Sequence, residues 1–461
     1  MRIALCEPLR APTALASALG AEAIGVGASE IGGVTTHSTE VRKNDLFVAL
    51  EGTRCNGAIY AEEAISRGAA AVLAAADVPL DPAHPRFLCD SPIAALSRAA
   101  ARWRRTHRGR LIAVGGSAGK TTVKEVVATL LAQCCSVARS EGNFNSTVGL
   151  PLSLLAFEQC DVWVTELGIS HPGEMAALSR MAAPDLAVLT NVGRAHIGQF
   201  EDGAQLLKEK LKIAACLQKN GHFLIPFGLQ LPFLPCEEKQ IVRFGGAAPY
   251  RLVRVSNGES GVSGDLITPD RFITNISWPI AGEIGIAVLE TVASIGVLSG
   301  LSDSEIRRGI ALAAAETPRM RLVEAGGFCL IDDAYNASPE AMLRALEALK
   351  HRAGARPAVA VLGDMLELGS HSARCHREVG EAVAKSDISM LLTYGRAALE
   401  IARAARDAGM PPERILPFDS NDREALLRTL CHSLPQGAAV LFKASGKMGL
   451  SRLAREVAQG L

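Results

Sequence analysis

The feature that most constrains this chain is the segment Val114-Gly115-Gly116-Ser117-Ala118-Gly119-Lys120-Thr121-Thr122, set between the apolar run LIAVG and the helical run VKEVVATLLAQC. When a strand passes through glycines straight into a helix, backbone N–H groups converge at the positive end of that helix, where phosphate oxygens bind. Lys120 is placed to reach the β- and γ-phosphates of a nucleotide, and the Thr121 hydroxyl to ligate Mg²⁺. The spacing is the short G-x-x-G-K-T form running from Gly116 to Thr121, because Val114 stands where the longer form has its first glycine. An ordinary glycine-rich turn is the alternative, and Lys-Thr-Thr at the helix start argues against it. Gly116, Ser117, Ala118, Gly119, Lys120, Thr121 and Thr122 are therefore the candidate nucleotide contacts.

Such a turn belongs in an α/β protein, and the rest of the chain agrees. Short β-rich runs at 111–115, 162–166, 186–190, 223–226, 329–332, 358–362, 391–393 and 440–443 alternate with helical runs such as 120–134, 204–217 and 339–351. That alternation predicts parallel sheets covered by helices. Residues 242–278, rich in Gly, Ser, Thr and Val, break the rhythm and predict an antiparallel β insertion. At about 150 residues per domain, 461 residues suggest three domains. Breaks after the basic helix end Arg102-Trp103-Arg104-Arg105 and near Thr317-Pro318 divide the chain into 1–105, 106–316 and 317–461.

Composition excludes several classes. Lys+Arg and Asp+Glu are equal at 48 each, which speaks against nucleic acid as a partner and against an acidic disordered chain. The longest apolar candidate for a membrane span, 284–301, is interrupted by Glu290. MRIALCEPLR lacks a secretory pattern, and eleven cysteines lie scattered without zinc spacing. The expectation is a cytoplasmic protein with free thiols.

A phosphate loop with Mg²⁺ needs a carboxylate. Glu166 closes the apolar run VWVTE, and ligands gather at the carboxyl ends of parallel strands. His196 follows Asn191 after the next run, as either a hydrogen-bonded loop histidine or a ligand. The run Leu206 to Lys212 reads as a solvated helix face. Asp333, after the run FCLID, either caps the helix that begins near Pro339 or binds Mg²⁺, ribose or an ammonium group. An arginine just upstream, among Arg319 and Arg321, is placed to stabilise a transferring phosphoryl group. Two further strand-to-loop clusters are LGDMLELG and LFKASGK.

The order of GGSAGKTTVKE, EGNFNSTVGLPLSLL, VTELGISHPGEM, LTNVGRAHIGQFED, IDDAYNASPEAM, VLGDMLELGSHS and LFKASGKMGL resembles the ATP-dependent Mur ligases of peptidoglycan synthesis. The N-terminal KNDLFVALEG resembles their UDP-binding domain, so the resemblance covers nearly the whole chain. It implies a small N-terminal α/β domain for the UDP-sugar end, a central phosphate-loop domain for ATP, and a Rossmann-like C-terminal domain for the incoming amine. IDDAYNASPEAM and VLGDMLELG resemble the member that joins D-Ala-D-Ala to a UDP-linked muramoyl tripeptide through an acyl phosphate; a monomer is expected. The resemblance also implies the roles. Lys120 would bind phosphate, and Thr121, Glu166 and His196 would hold Mg²⁺. Lys210, the position of a carbamylated lysine in the family, would bridge to the metal. Arg321, Asp333, Tyr335, Asn336 and Asn191 would face ATP. Ser38, Asn143, Asn145, Asp364, Glu367, Lys443 and Ser445 would serve the other substrates.

Departures from the family pattern begin in the first domain. Its Asp-Ser-Arg reads His37-Ser38-Thr39 and its Asp-Gly-His reads Asn56-Gly57-Ala58. In the central domain Gly282-Glu283-Ile284-Gly285, with Val288 after it, replaces Gly-x-His-Asn, and Lys212 stands where the family has an acid two residues after the modified lysine. In the last domain, Lys443-Ala444-Ser445-Gly446 replaces Lys-Gly-Ser-Arg. UDP is thus expected to be recognised by a differently built site. Two other readings stand beside this one: an amide ligase of the same scaffold acting on a different carboxylate and amine, and a phosphate-loop regulatory protein without ligase chemistry. Lys120, Glu166, His196, Lys210 and Asp333 speak against the latter.

Overall fold

The computed structural model describes residues 1–52, 55–194, 197–258, 260–316 and 321–460, with the backbone alone at 321 and 322. The described residues form four sheets: six strands in the first, six in the central, three in the next and six in the last. All eight strands expected from the sequence form, each to within one residue at either end.

The central sheet is wholly parallel. Its strand order is Ile241–Phe244, His222–Pro226, Leu186–Leu189, Arg110–Gly115, Val162–Glu166 and Val137–Arg139. Arg110–Gly115 comes first in sequence but lies inside the sheet, with later strands on both sides. The strand order therefore reverses at Gly115, and a crevice opens at the carboxyl ends on either side of it. Register brings the functional ends together, pairing Val114 with Glu166 and Gly115 with Leu189. The expected antiparallel insertion is shorter than 242–278. Ile241–Phe244 instead pairs parallel with His222–Pro226, and the antiparallel sheet is Arg251–Gly258, Gly261–Ile267 and Phe272–Trp278.

Two helices run shorter than expected. The first stops at Leu131, and the second covers Gly203–Leu211 before tightening into a 3-10 turn at Lys212–Ala214. Clear stops such as a following Gly or Pro are missing at both ends, so the sequence gives no boundary there. Asp202 starts the second helix by accepting from the Gln205 amide at 2.7 Å. Pro339–Ala353 begins where it should, with Pro339 in the first turn and Ser338 capping Ala341.

The first sheet has parallel inner pairs and antiparallel outer pairs. The last sheet is parallel except for Arg321–Ala325 against Phe328–Asp332. The basic helix end at the first boundary is a docking device. Arg104 is buried, and its guanidinium donates to the carbonyls of Ala182 and Ala183 and to Asp185 at 2.7 Å. Those carbonyls end the helix Glu174–Ala182, where a cation is favoured. Next to it His107 stacks on buried Trp163 at 3.7 Å, and the Trp103 indole donates to the Phe157 carbonyl.

Glu290, the charge in the longest apolar run, sits on the helix Gly282–Leu298 and accepts from the Leu252 amide at 2.9 Å. Burial raises its pKa. Among the described residues no helix is long and apolar enough to cross a membrane. All eleven cysteines are free thiols.

Candidate active site

At the carboxyl edge of the central sheet lies a cavity of about 840 Å³, walled on one side by the phosphate loop and on the other by loops of the C-terminal sheet. The loop needs its glycines. Gly116 has φ of 141°, and a Cβ there would collide with the Thr190 hydroxyl. Gly119 has φ of 79° and leads into the helix Lys120–Leu131. Residues 117–122 line the cavity, with Glu166 and the pair Asn143 and Asn145 beside them.

Glu166 is the hub of this wall. It is buried, accepts from the Thr121 hydroxyl at 2.6 Å and from the Asn145 amide at 2.7 Å, and lies 4.0 Å from the Lys120 ammonium. Among the described residues no three His, Cys, Asp or Glu side chains cluster as a metal site. One buried carboxylate with a hydroxyl beside it suits Mg²⁺, a hard cation that is usually bound through one or two carboxylates, phosphate oxygens and water. His196 lies outside the described residues.

Three predicted residues stand behind the wall. Gly116 and Asn191 brace the loop: the Asn191 side-chain oxygen accepts from the amides of Ser117 and Ala118 at 3.2 and 2.9 Å. Lys210 is buried, not solvated, and its ammonium donates to the Gly116 carbonyl at 3.2 Å. Burial, then the nearby Lys120 charge, pushes its amine down to about 7. Leu206, Glu209 and Lys210 form the inward face of their helix. Lys212 donates to Glu209 at 2.6 Å, so it faces a carboxylate of the helix it follows.

On the opposite wall, Asp333, Tyr335, Asn336, Glu367, Lys443 and Ser445 all line the cavity. Their partners revise two expectations. Buried Lys443 is committed to structure: it donates to the Asp333 carboxylate at 2.6 Å and to the carbonyls of Asp333 and Asn336 at 3.3 and 3.2 Å. Asp364 does not line the cavity but accepts from the Ala398 amide at 2.7 Å, ahead of the helix Leu399–Asp407. Ser445 accepts from the Leu366 amide at 2.9 Å, and Glu367 holds a positive φ of 65°. Arg321 pairs by its backbone with Asp332. Ser38 is buried in the first domain, away from this cavity.

Sequence reasoning missed several supports. Lys124, one turn past Lys120, is fully buried and donates to the carbonyls of Ser140 and Gly142, placing the segment that carries Asn143 and Asn145. Its position four residues after Lys120, on the inward face, was the available signal. His376 accepts from the Met365 amide at 3.0 Å, holding the loop of Leu366 and Glu367, and burial lowers its pKa. Arg194 reaches two glutamates far along the chain, and no local pattern announces that.

Three family models match the chain: Mur ligase family, catalytic domain, at 30–104; Mur ligase middle domain at 114–298; and Mur ligase, glutamate ligase domain, at 318–446. The chain is 31% identical over 432 residues to the UDP-N-acetylmuramoyl-tripeptide–D-alanyl-D-alanine ligase of Bacillus subtilis, covering 93% of each. The chain belongs to the Mur ligase family. Among solved structures, the MurF ligase of Thermotoga maritima in complex with ADP is 27% identical, with a TM-score of 0.78 over 93% of this chain and 97% of that one. A MurF crystal structure from Acinetobacter baumannii shares the fold, with a TM-score of 0.85 at 24% identity over 97% and 98% of the two chains. The three-domain α/β architecture is thus that of the Mur ligases, which places the phosphate loop in the middle domain and the Asp333 and Lys443 loops in the last.

Proposed function

We propose that this chain is the ATP-dependent ligase that joins D-Ala-D-Ala to UDP-N-acetylmuramoyl-tripeptide in the cytoplasm, as a step of peptidoglycan synthesis. The observation that carries the reading is the single cavity walled by the phosphate loop and by the Asp333, Glu367 and Ser445 loops. The relative of 31% identity over 93% of the chain supports it. The working units are 1–105, 106–316 and 317–461, a division consistent with each sheet falling within one of them.

In this reading the tripeptide carboxylate attacks the γ-phosphoryl of ATP and ADP leaves. The amine of D-Ala-D-Ala then attacks the acyl carbon, the C–O bond to phosphate breaks, and an amide and phosphate result. Lys120 and the backbone of 117–122 neutralise the phosphates, with Asn191 bracing them. Thr121, Glu166 and His196 would hold Mg²⁺, which when bound would draw charge from the phosphate oxygens. Asp333, Tyr335 and Asn336 line the cavity and would face ATP, as would Arg321, whose side chain lies outside the described residues. Asn143, Asn145, Glu367 and Ser445 serve the peptide and the amine, while Lys443 and Asp364 hold the loops that carry them.

Lys210 completes the wall as a carbamate. Its depressed pKa of about 7 leaves neutral amine near neutral pH, which adds CO₂ with loss of one proton to give an anion. An anion there faces Lys120, whose charge would then favour it rather than oppose it.

The first domain favours a second reading, an amide ligase of this scaffold with another carboxylate substrate. Asn56 turns its side chain onto its own backbone at Ala58, and Thr39 stands where the family has an arginine. Phosphate release from ATP, measured with UDP-muramoyl-tripeptide and with or without D-Ala-D-Ala, separates the two. Release that requires both substrates is expected. Release with neither, or none with any UDP-linked substrate, hands the case to the second reading.

A further inference from the structure

Arg194 follows the turn that braces the phosphate loop. The Ser117 hydroxyl donates to the Gly193 carbonyl at 3.0 Å and accepts from the Gly193 amide at 2.7 Å. With Asn191 bonded to the same loop, residues 117, 118 and 191–193 form one hydrogen-bonded piece. From this piece the Arg194 guanidinium crosses to the C-terminal domain. It donates to Glu340 at 2.8 Å and grips both carboxylate oxygens of Glu378 at 2.6 and 2.7 Å. Glu340 opens the helix Pro339–Ala353, directly after the cavity-lining segment 333–338, and Glu378 lies on the helix Ser372–Lys385.

Two glycines allow close approaches between the same two parts of the chain. A Cβ on Gly193 would fall 2.7 Å from the Glu340 carboxyl carbon, and one on Gly198 would fall 2.6 Å from the Gly369 amide. A bidentate arginine fork fixes orientation as well as distance, which a lone ammonium cannot do. All three side chains are partly covered, with 28%, 25% and 39% exposed for Arg194, Glu340 and Glu378.

We propose that Arg194 is a positioning residue: a latch that ties the phosphate loop to the C-terminal domain and holds the two walls of the cavity face to face. The inference deepens the proposed function and rests on it for the activity readout alone. The latch touches no substrate. Its loss leaves nucleotide binding at the loop nearly unchanged and reduces the time the amine-side wall spends in place.

The test compares Arg194→Gln, Arg194→Lys, Glu378→Gln and the double Arg194→Gln/Glu378→Gln. One readout is small-angle scattering with ADP and Mg²⁺ present. The other is kcat, with KM for ATP and for D-Ala-D-Ala measured separately. Both Gln variants should scatter as expanded molecules and lose roughly tenfold in kcat, within the usual range for coupled sites. KM for ATP should hold, KM for D-Ala-D-Ala should rise, the double should be no worse than the poorer single, and Arg194→Lys should recover part of the loss. A Glu378→Gln variant as compact and as fast as wild type would overturn the latch, as would additive losses in the double. Scattering uses neither peptide substrate, so a wild type inactive towards D-Ala-D-Ala would sink the proposed function while leaving the latch test standing.

Discussion

The two walls of the cavity carry similar residues and use them differently. On the phosphate-loop side, Thr121, Asn145 and Lys120 gather around Glu166 at the cavity surface, all four lining the open space. On the C-terminal side, the buried Lys443 is spent on Asp333 and two carbonyls, and Asp364 on a helix start. A charged residue at the carboxyl end of a strand has its partners among cavity-lining side chains in the first case and in the backbone and side chain of a neighbouring loop in the second. The difference lies in what else must be held. The phosphate loop is shaped by glycines and anchored from behind by Asn191 and Lys210, with Lys120 and Thr121 at the cavity. The loop of 333–336 is held by Lys443, which bonds Asp333 and the Asn336 carbonyl, and by the Asp333 amide, which donates to the Phe442 carbonyl at 3.0 Å.

Lys120→Ala tests the first wall and should have the largest effect. Removing a preorganised cation from developing phosphoryl charge costs on the order of a hundred- to a thousandfold in rate. Phosphate release at a near-normal rate would mean that the loop does not face ATP.

Lys443→Met tests the second wall. It leaves the Asp333 carboxylate without its cation in a poorly solvated place, a change that typically costs about 3–5 kcal/mol. A large drop in melting temperature should accompany lost activity, whereas a normal melting temperature with a raised KM for the amine would return Lys443 to substrate binding.

Lys210 sharpens the contrast, because its charge depends on conditions. An unmodified lysine with a folded pKa of about 7 against an ordinary 10.5 binds fewer protons folded than unfolded between those values. Its cost to stability is therefore greatest below the lower value and fades as pH rises towards the upper one. In CO₂-depleted buffer, Lys210→Met should melt higher than wild type, by more at about pH 6 than at about pH 9. The same variant should be nearly inactive, while Lys210→Ala should regain some rate with added short carboxylates. A melting difference independent of pH would mean that the amine is charged in the folded chain.

The smallest expected effect is in the first domain. Arg42 is exposed beside the altered segments, and Arg42→Ala should raise KM for the UDP-linked tripeptide by about tenfold, the loss of one charge-assisted hydrogen bond. Arg54→Ala is the parallel variant, at a position outside the described residues. No change in either would place UDP recognition elsewhere.

These regions also differ in how far the sequence reveals them. The phosphate loop, its flanking strand and helix, and Glu166 follow from contiguous residues, because a glycine turn, a helix start and a strand end are local events. The pairings Lys443 with Asp333, 110 residues apart, and Arg194 with Glu378, 184 apart, depend on strand order and domain docking, which no short pattern encodes. Lys210 misleads for a related reason. Its helix has charges on both faces, and only the packed fold decides that Glu209 and Lys210 turn inward. Ile241–Phe244 extends the parallel sheet because a free edge lay beside His222–Pro226, a fact invisible in its own residues.

The central claim is that the two walls act on one substrate in turn, first activating a carboxylate and then presenting an amine. The most direct measurement follows ¹⁸O from the labelled terminal carboxylate of UDP-muramoyl-tripeptide during ligation to D-Ala-D-Ala. Attack on ATP by that carboxylate, followed by departure of phosphate from the acyl carbon, predicts one labelled oxygen in each phosphate released. Phosphate free of label alongside formed amide would contradict the account.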